Sequence, residues 1–217
     1  MAQEHSPGRT GAAVKRPGVL AALALAAFLA AAAAIGGLAQ LAAVRAAGPV
    51  TVASGPGALA DALEDAPWIE TGGDGPVVWA VASAQCPGCG AFFTEELEAL
   101  EEEGFRVRVI VVSPRDERSA LRAAWIAQLA EIRTPEALAP LTEGRALPAP
   151  RAGDAAAREG HLEWTRASYD RIAAIVARNE RRMALPALFW RRGADWRALI
   201  GGAHAHEHAR RELASEV

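Results

Sequence analysis

Cysteine is scarce in this chain. There are two among 217 residues, Cys86 and Cys89, one helical turn apart if the segment is helical. A disulfide scaffold needs more cysteines, spread along the chain. A structural zinc site needs two further ligands close by in space. A lone CxxC is therefore read first as a redox pair. Lysine is scarcer still, with Lys15 the only one, so arginine carries the basic charge. The formal net charge is −3, and nothing in it points to a nucleic-acid partner. No internal repeat is visible.

Charge is missing altogether from residues 17–44, and Val19 to Ala39 is the most apolar part of that run. About 20 apolar residues suffice to cross the hydrocarbon core, so the run is long enough for a transmembrane helix. Arg9, Lys15 and Arg16 precede it, and after Arg45 no lysine or arginine appears until Arg106. By the positive-inside rule residues 1–16 are cytoplasmic and the remainder is translocated. The rival is a cleaved signal peptide, with Gly37 and Ala39 as small residues near a cleavage site. The run exceeds the usual signal-peptide core, which favours a single-pass inner-membrane anchor. In a Gram-negative cell either reading places the C-terminal part in the periplasm, where disulfide chemistry is expected.

What is present beyond residue 44 reads as an α/β domain. Residues 45–57 are rich in Gly, Ala and Pro and read as a linker, and Ala58 to Ala66 as a short helix. Pro76 to Ser83 is a compact apolar run behind Gly72-Gly73-Asp74-Gly75, the pattern of a buried strand. An amphipathic helix is expected from the cysteines to about Glu103, capped by Gly104. Phe105 to Ser113 alternates charged and apolar residues, then becomes wholly apolar, and reads as a second strand. Strand, helix, strand is a βαβ unit with parallel strands. A mostly helical insertion follows over about 115–182: Glu117 to Ile132, Pro135 to Leu141, a loop at Arg145 to Asp154, and Ala155 to about Arg182. In this last helix Leu162, Ala167, Ile172 and Ile175 are expected on one face. Ala184 to Trp190 is expected as a strand interrupted early by Pro186. A turn at Arg192 to Asp195, a partner strand at Trp196 to Ile200 and a helix at Glu207 to Glu216 complete the chain.

The CPGC segment carries the chemistry. A thiolate is the nucleophile in disulfide exchange, and an ordinary cysteine is mostly protonated at neutral pH. The unpaired N–H groups and positive dipole end of a helix N-terminus favour the thiolate, and Cys86 falls at that position. Pro87 suits the first helical turn, where a missing N–H costs nothing. Cys89, one turn on, is placed to attack a mixed disulfide formed by Cys86. No charged residue lies between Asp74 and Glu95, so helix-end effects dominate. The other readings are two incidental buried cysteines or a metal half-site.

These residues resemble a known family. Pro67-Trp68-Ile69, Gly72 to Gly75, Pro76-Val77-Val78, and Cys86-Pro87-Gly88-Cys89 followed by Phe92-Phe93 are similar to the catalytic domain of the DsbC/DsbG-type periplasmic thiol:disulfide interchange proteins. The match resumes at Met183 to Phe189 and spans roughly residues 58–213, with the helical insertion between. The resemblance implies a thioredoxin-like fold, Cys86 as attacking thiol and Cys89 as resolving thiol. It implies Pro186 as a cis-proline beside the pair, with Leu185 offering its backbone to a bound peptide. Leu185 stands where the isomerases usually have threonine, and Pro-Gly is not their usual dipeptide. The resemblance thus supports oxidase or reductase work more than isomerisation.

Other features read more simply. His204 and His208 share a helical face at metal-ligand spacing, against a solvated loop as the alternative. The run Glu101-Glu102-Glu103 reads as a solvated helix end, Trp125, Trp164 and Trp190 as packing residues, and the arginines from Arg171 to Arg192 as a solvated face. The sequence thus leads to a thiol–disulfide oxidoreductase acting on exported protein thiols and disulfides, with a membrane redox partner. The disulfide itself serves as redox group, with no further cofactor and no metal. The competing expectation is a non-catalytic, membrane-tethered assembly protein in which Cys86 and Cys89 form a structural disulfide.

Overall fold

The computed structural model describes residues 48–84, 86–113, 122–126, 135–143, 155–201 and 204–213. The expected anchor at 17–44 and the loop at 145–154 lie outside them. Among the described residues no helix is long and apolar enough to cross a membrane. The chain divides by contact into residues 1–43 and 44–217, and the fold described here is that of the second unit.

Six strands form one mixed sheet in the order β1-β6-β5-β3-β4-β2. They are β1 (Val50–Thr51), β2 (Trp68–Gly72), β3 (Val77–Ala82), β4 (Arg106–Val111), β5 (Ala187–Arg192) and β6 (Asp195–Ile200). Helix α1 (Pro56–Glu64) precedes β2. Helix α2 follows β3 in three continuous parts, Pro87–Ala91, Phe92–Glu96 and Leu97–Glu102, the middle one π-helical. The insertion contains a short helix α3 at residues 122–126, a 3₁₀ turn Pro135–Leu138 running into α4 (Ala139–Thr142), and the long α5 (Ala155–Arg178). Helix α6 (Ala205–Leu213) closes the unit.

The central strand is β3, parallel to β4 on one side and antiparallel to β5 on the other. Its sequence is apolar throughout because both faces are covered. Val78, Ala80 and Ala82 enter the core shared with α2, α3 and α6, while Trp79 and Val81 enter the core shared with α1 and α5. Each fully buried Val or Leu contributes about 1.5–3 kcal/mol of transfer free energy, and both layers are rich in them. The βαβ unit forms as expected. The turn from β2 to β3 packs tightly on the end of α2. Gly72 has φ 87°, and a Cβ there or at Gly75 would collide with the carbonyl oxygen of Phe105 or Gly104.

Four differences from the sequence-based expectation have physical causes. First, the stretch read as a linker contains β1, whose Val50 and Thr51 pair with Ala198 and Arg197 of β6. Two residues set among Gly, Ala and Pro leave no periodic signal. Second, β2 pairs antiparallel with β4 at the sheet edge. Glu70 and Thr71 hide its strand character, since Ile69 is the single fully buried side chain in it.

Third, the buried stripe of α5 is Thr165, Ser168, Ile172, Ile175 and Val176. Leu162 is half-buried and Ala167 exposed. The two hydroxyls satisfy themselves on the helix backbone, Thr165 donating to the Leu162 carbonyl at 3.0 Å and Ser168 to that of Trp164 at 2.8 Å. Such back-bonding lets polar residues occupy a buried face. Fourth, Trp190 is fully buried and Trp125 packs on the core, but Trp164 is 40% exposed. Its indole N–H donates to the carbonyl of Asp65 at 3.1 Å, tying α5 to the end of α1.

Candidate active site

The cysteine pair sits where β3 ends and α2 begins. Cys86 is the N-cap, with extended backbone (φ −75°, ψ 123°), and Pro87 opens the helix. The amides of Cys89 and Gly90 close the first turn on the Cys86 carbonyl at 2.9 and 3.2 Å. Both cysteines are free thiols in different surroundings: Cys86 is half-exposed and Cys89 has no exposed surface. The wider π-helical turn after them lets consecutive residues, Phe92 and Phe93, both face the core, their rings 5.4 Å apart edge to face.

The loop before β5 completes the site. Leu185–Pro186 is a cis peptide bond. The Cys86 thiol donates to the Leu185 carbonyl at 3.3 Å, across 99 residues of sequence. A Cβ added at Gly88 would lie 3.6 Å from Pro186 Cδ, 3.7 Å from the Leu185 oxygen and 3.9 Å from Cys86 Sγ. Gly88 therefore packs against the proline loop and leaves the sulfur and the carbonyl uncovered. Cys86, Cys89, Leu185 and Pro186 are brought together, and Gly88 is the member of the site that sequence reasoning did not single out. In one respect the local geometry differs from expectation. The Cys86 side chain makes no capping bond to the helix amides. A thiol has a proton to donate, and the Leu185 carbonyl is the acceptor in reach.

Cys89 is held differently. Burial pushes its thiol well above the usual thiol range. The hydrogen bond with Cys86 and the proximity of that group's charge push the same way, against the Ser83 N–H that donates to Cys89 Sγ at 3.4 Å. Two of the three upward influences come from Cys86. They vanish once Cys86 is bonded to another sulfur, and the stabilising Ser83 amide remains. Burial, the largest influence, does not depend on the state of Cys86.

The back of α2 is locked to α6 by Glu96. Its carboxylate accepts the backbone N–H groups of His204 (2.8 Å) and His206 (3.1 Å), and His206 Nδ1 lies 2.6 Å from Glu96 Oε2. Glu96 thus caps the N-terminus of α6 from another helix. Nothing in the sequence pairs residues 110 positions apart. Among the described residues no cluster of three metal-capable groups occurs. The acidic run ends in contacts as well: Glu101 accepts the Thr71 hydroxyl at 2.7 Å, and Glu103 lies 3.7 Å from Arg210.

Burial pulls the Glu96 carboxyl upward, but the bonds from His206 and His204 outweigh it and hold it below its ordinary value of 4.5. A depressed carboxyl stabilises the fold above its unfolded-state pKa and ceases to do so as pH falls through the folded value. The Glu96 contribution to the docking of α6 is therefore expected to be full above about pH 4.5 and to be lost as pH falls further. In Glu96→Gln this acid-dependent part should disappear, with a loss of about 1–2 kcal/mol at pH 7. Urea denaturation between pH 3 and 7 checks both, and parallel profiles for the two proteins would contradict the assignment.

The fold and the site together define a thioredoxin-like domain: a CxxC dithiol at the mouth of a βαβ unit, faced by a cis-proline loop that leads into an antiparallel hairpin. No family model and no curated protein matches the chain. Among solved structures it is similar to a periplasmic thioredoxin-like protein from Salmonella enterica serovar Typhimurium, with 15% identity, 72% of this chain and 96% of that one covered, and a TM-score of 0.46. It is similar to DsbG of Helicobacter pylori, with 17% identity, 62% and 60% covered, and a TM-score of 0.44. It is also similar to ScsC of Proteus mirabilis in a compact conformation, with 16% identity, 93% and 95% covered, and a TM-score of 0.47. Likenesses at this level carry no function across, and the fold class rests on the strand order and the proline loop.

Proposed function

We propose that this chain is a thiol–disulfide oxidoreductase acting on exported proteins, with Cys86 as the attacking and Cys89 as the resolving sulfur. The observation that carries the reading is the asymmetry of the pair. One sulfur is accessible beside an open backbone carbonyl, and the other is sealed directly beneath it. In the reductive direction the Cys86 thiolate attacks a client disulfide. An S–S bond forms to Cys86 and the client's other sulfur leaves as a thiolate that takes up a proton. Cys89 then loses its proton and attacks Cys86, forming Cys86–Cys89 and releasing the second client thiol. The client gains two electrons and the chain loses two, and the same steps reversed oxidise a dithiol. The redox group is the pair itself, and no further cofactor or metal enters.

An extended client segment would lie along Leu185 and Pro186, where the proline offers no N–H to a neighbouring strand. Residues 17–44 would anchor the chain in the inner membrane with the domain in the periplasm. A membrane redox partner would reset the pair.

Alkylation of the reduced native protein tests the asymmetry. Iodoacetamide should label Cys86 first, and Cys89 only after unfolding. Equal labelling of the two in the folded chain would remove the basis of the assignment.

A further inference from the structure

The tether between the uncharged N-terminal run and the folded domain is short. Residues 17–44 carry no charge, and Gly48 already lines the surface of the domain. Four residues of fully extended chain span at most about 14 Å. Gly48 marks the face of the domain at which the chain enters it.

That face holds a small cavity of about 170 Å³. The apolar side chains of Val50, Ala198 and Ile200 line it together with Arg181 and Arg182. The turn after α5 sets the course of the two arginines' backbone. The Asn179 side chain grips the segment after β1 with both its groups, accepting the Ser54 N–H at 2.8 Å and donating to the Ser54 carbonyl at 3.0 Å. Glu180 then turns with φ 58°, and the Arg181 amide closes the turn on the Val176 carbonyl at 3.3 Å. Arg108, Arg171 and Arg197 each hold a carboxylate within ion-pair distance. Arg181 and Arg182 are exposed and, among the described residues, have no such partner. Glu180, their nearest acidic neighbour in sequence, does not line the cavity.

Two unpaired guanidinium groups beside an apolar surface, within a short tether of a membrane segment, match the headgroup region of a bilayer with phosphate above hydrocarbon. We propose that Arg181 and Arg182 dock the domain onto the anionic phospholipid headgroups of the membrane that anchors it. This rests on the anchored reading of residues 17–44. Ala184 lines the same cavity, and the carbonyl of Leu185 accepts the Cys86 thiol. Three residues, at most about 11 Å of chain, separate Arg182 from Leu185. Docking would therefore hold the dithiol close to the bilayer surface, in reach of a membrane-embedded redox partner.

The test is hydrogen–deuterium exchange on the full chain reconstituted in vesicles of phosphatidylcholine alone, or with a quarter phosphatidylglycerol. With the anionic lipid, amides at 181–184 and 198–201 should be protected, and added salt should reduce the protection. Two basic residues near an anionic surface shift the docked population by about 30-fold. Arg181→Gln/Arg182→Gln, two exposed changes, should abolish the protection and leave the rest of the exchange map unaltered. Insertion into both kinds of vesicle with identical exchange overturns the docking alone. So does protection that survives in the double variant, or protection by an acidic peptide on neutral vesicles that anionic lipid does not give. Failure to insert into either vesicle overturns the anchor, and the docking with it.

Discussion

Replacing Cys86 with alanine is expected to reduce disulfide exchange to the uncatalysed level, and replacing Cys89 to turn the chain into a trap. The two substitutions differ because the sulfurs differ in access. Cys86 is the half-exposed thiol beside the Leu185 carbonyl, so without it no client sulfur can be reached. Cys89 is sealed from solvent and acts only on a disulfide already formed at Cys86. In Cys89→Ala the first step proceeds and the second does not, so mixed disulfides between Cys86 and client cysteines should accumulate. Non-reducing gels and mass mapping of the trapped species check this. Trapping in Cys86→Ala instead would reverse the roles, and full activity in both variants would remove the enzyme. Neither change should unfold the domain, since each trims one sulfur atom and costs on the order of 1 kcal/mol.

Arg197→Ala should produce a large loss of stability for a polar change outside the site. Arg197 grips the Glu212 carboxylate with Nε at 2.8 Å and Nη2 at 2.7 Å. It also donates to the Thr51 hydroxyl at 2.5 Å and to the Pro49 carbonyl at 3.1 Å. The Trp190 indole adds a bond to Glu212 at 3.2 Å. The pair joins β6, α6 and β1, and the two side chains are only 18% and 15% exposed. The side-chain bonds from Arg197, opposed by burial, hold the Glu212 carboxyl below its ordinary range. Removing the guanidinium takes the two-pronged partner away from a largely buried carboxylate, at a cost of about 2–3 kcal/mol. Arg197→Lys keeps the charge but loses the two-pronged geometry and should recover only part of that. Urea denaturation measures the loss, and exchange at Val50 and Thr51 should rise in parallel as β1 comes free. An unchanged midpoint would show that the network contributes nothing net.

The parts of this domain that were legible in the sequence are those where one residue type has one physical use. An uninterrupted apolar run, Val77 to Ala82, fits a strand covered on both faces. CPGC after it marks a helix start, because proline fits the first turn, and Gly104 marks the helix end. Pro186 ahead of an apolar strand pointed to the loop that faces the cysteines. Less legible were elements held by distant partners. β1 exists because Val50 and Thr51 find β6, and β2 because it finds β4. Thr165 and Ser168 take buried places on α5 by bonding to their own helix, which an apolar pattern cannot register. Glu96 reads as one more surface acid until His204 and His206 arrive from the far end of the chain. The same holds for the bond between the Cys86 thiol and Leu185. The sequence names both residues but does not say that the thiol turns to the carbonyl and away from the helix amides.

Whether Cys86 and Cys89 are a working dithiol or a structural brace is decided most directly by their reduction potential. Equilibration of the full chain with glutathione or dithiothreitol buffers, followed by alkylation and mass analysis of the Cys86–Cys89 peptide, gives it. A working pair should exchange readily and reversibly, with a midpoint between about −120 and −270 mV, the span covered by thioredoxin-type catalysts. A disulfide that resists these buffers, with a midpoint below about −300 mV as for structural disulfides, would contradict the proposed exchange chemistry.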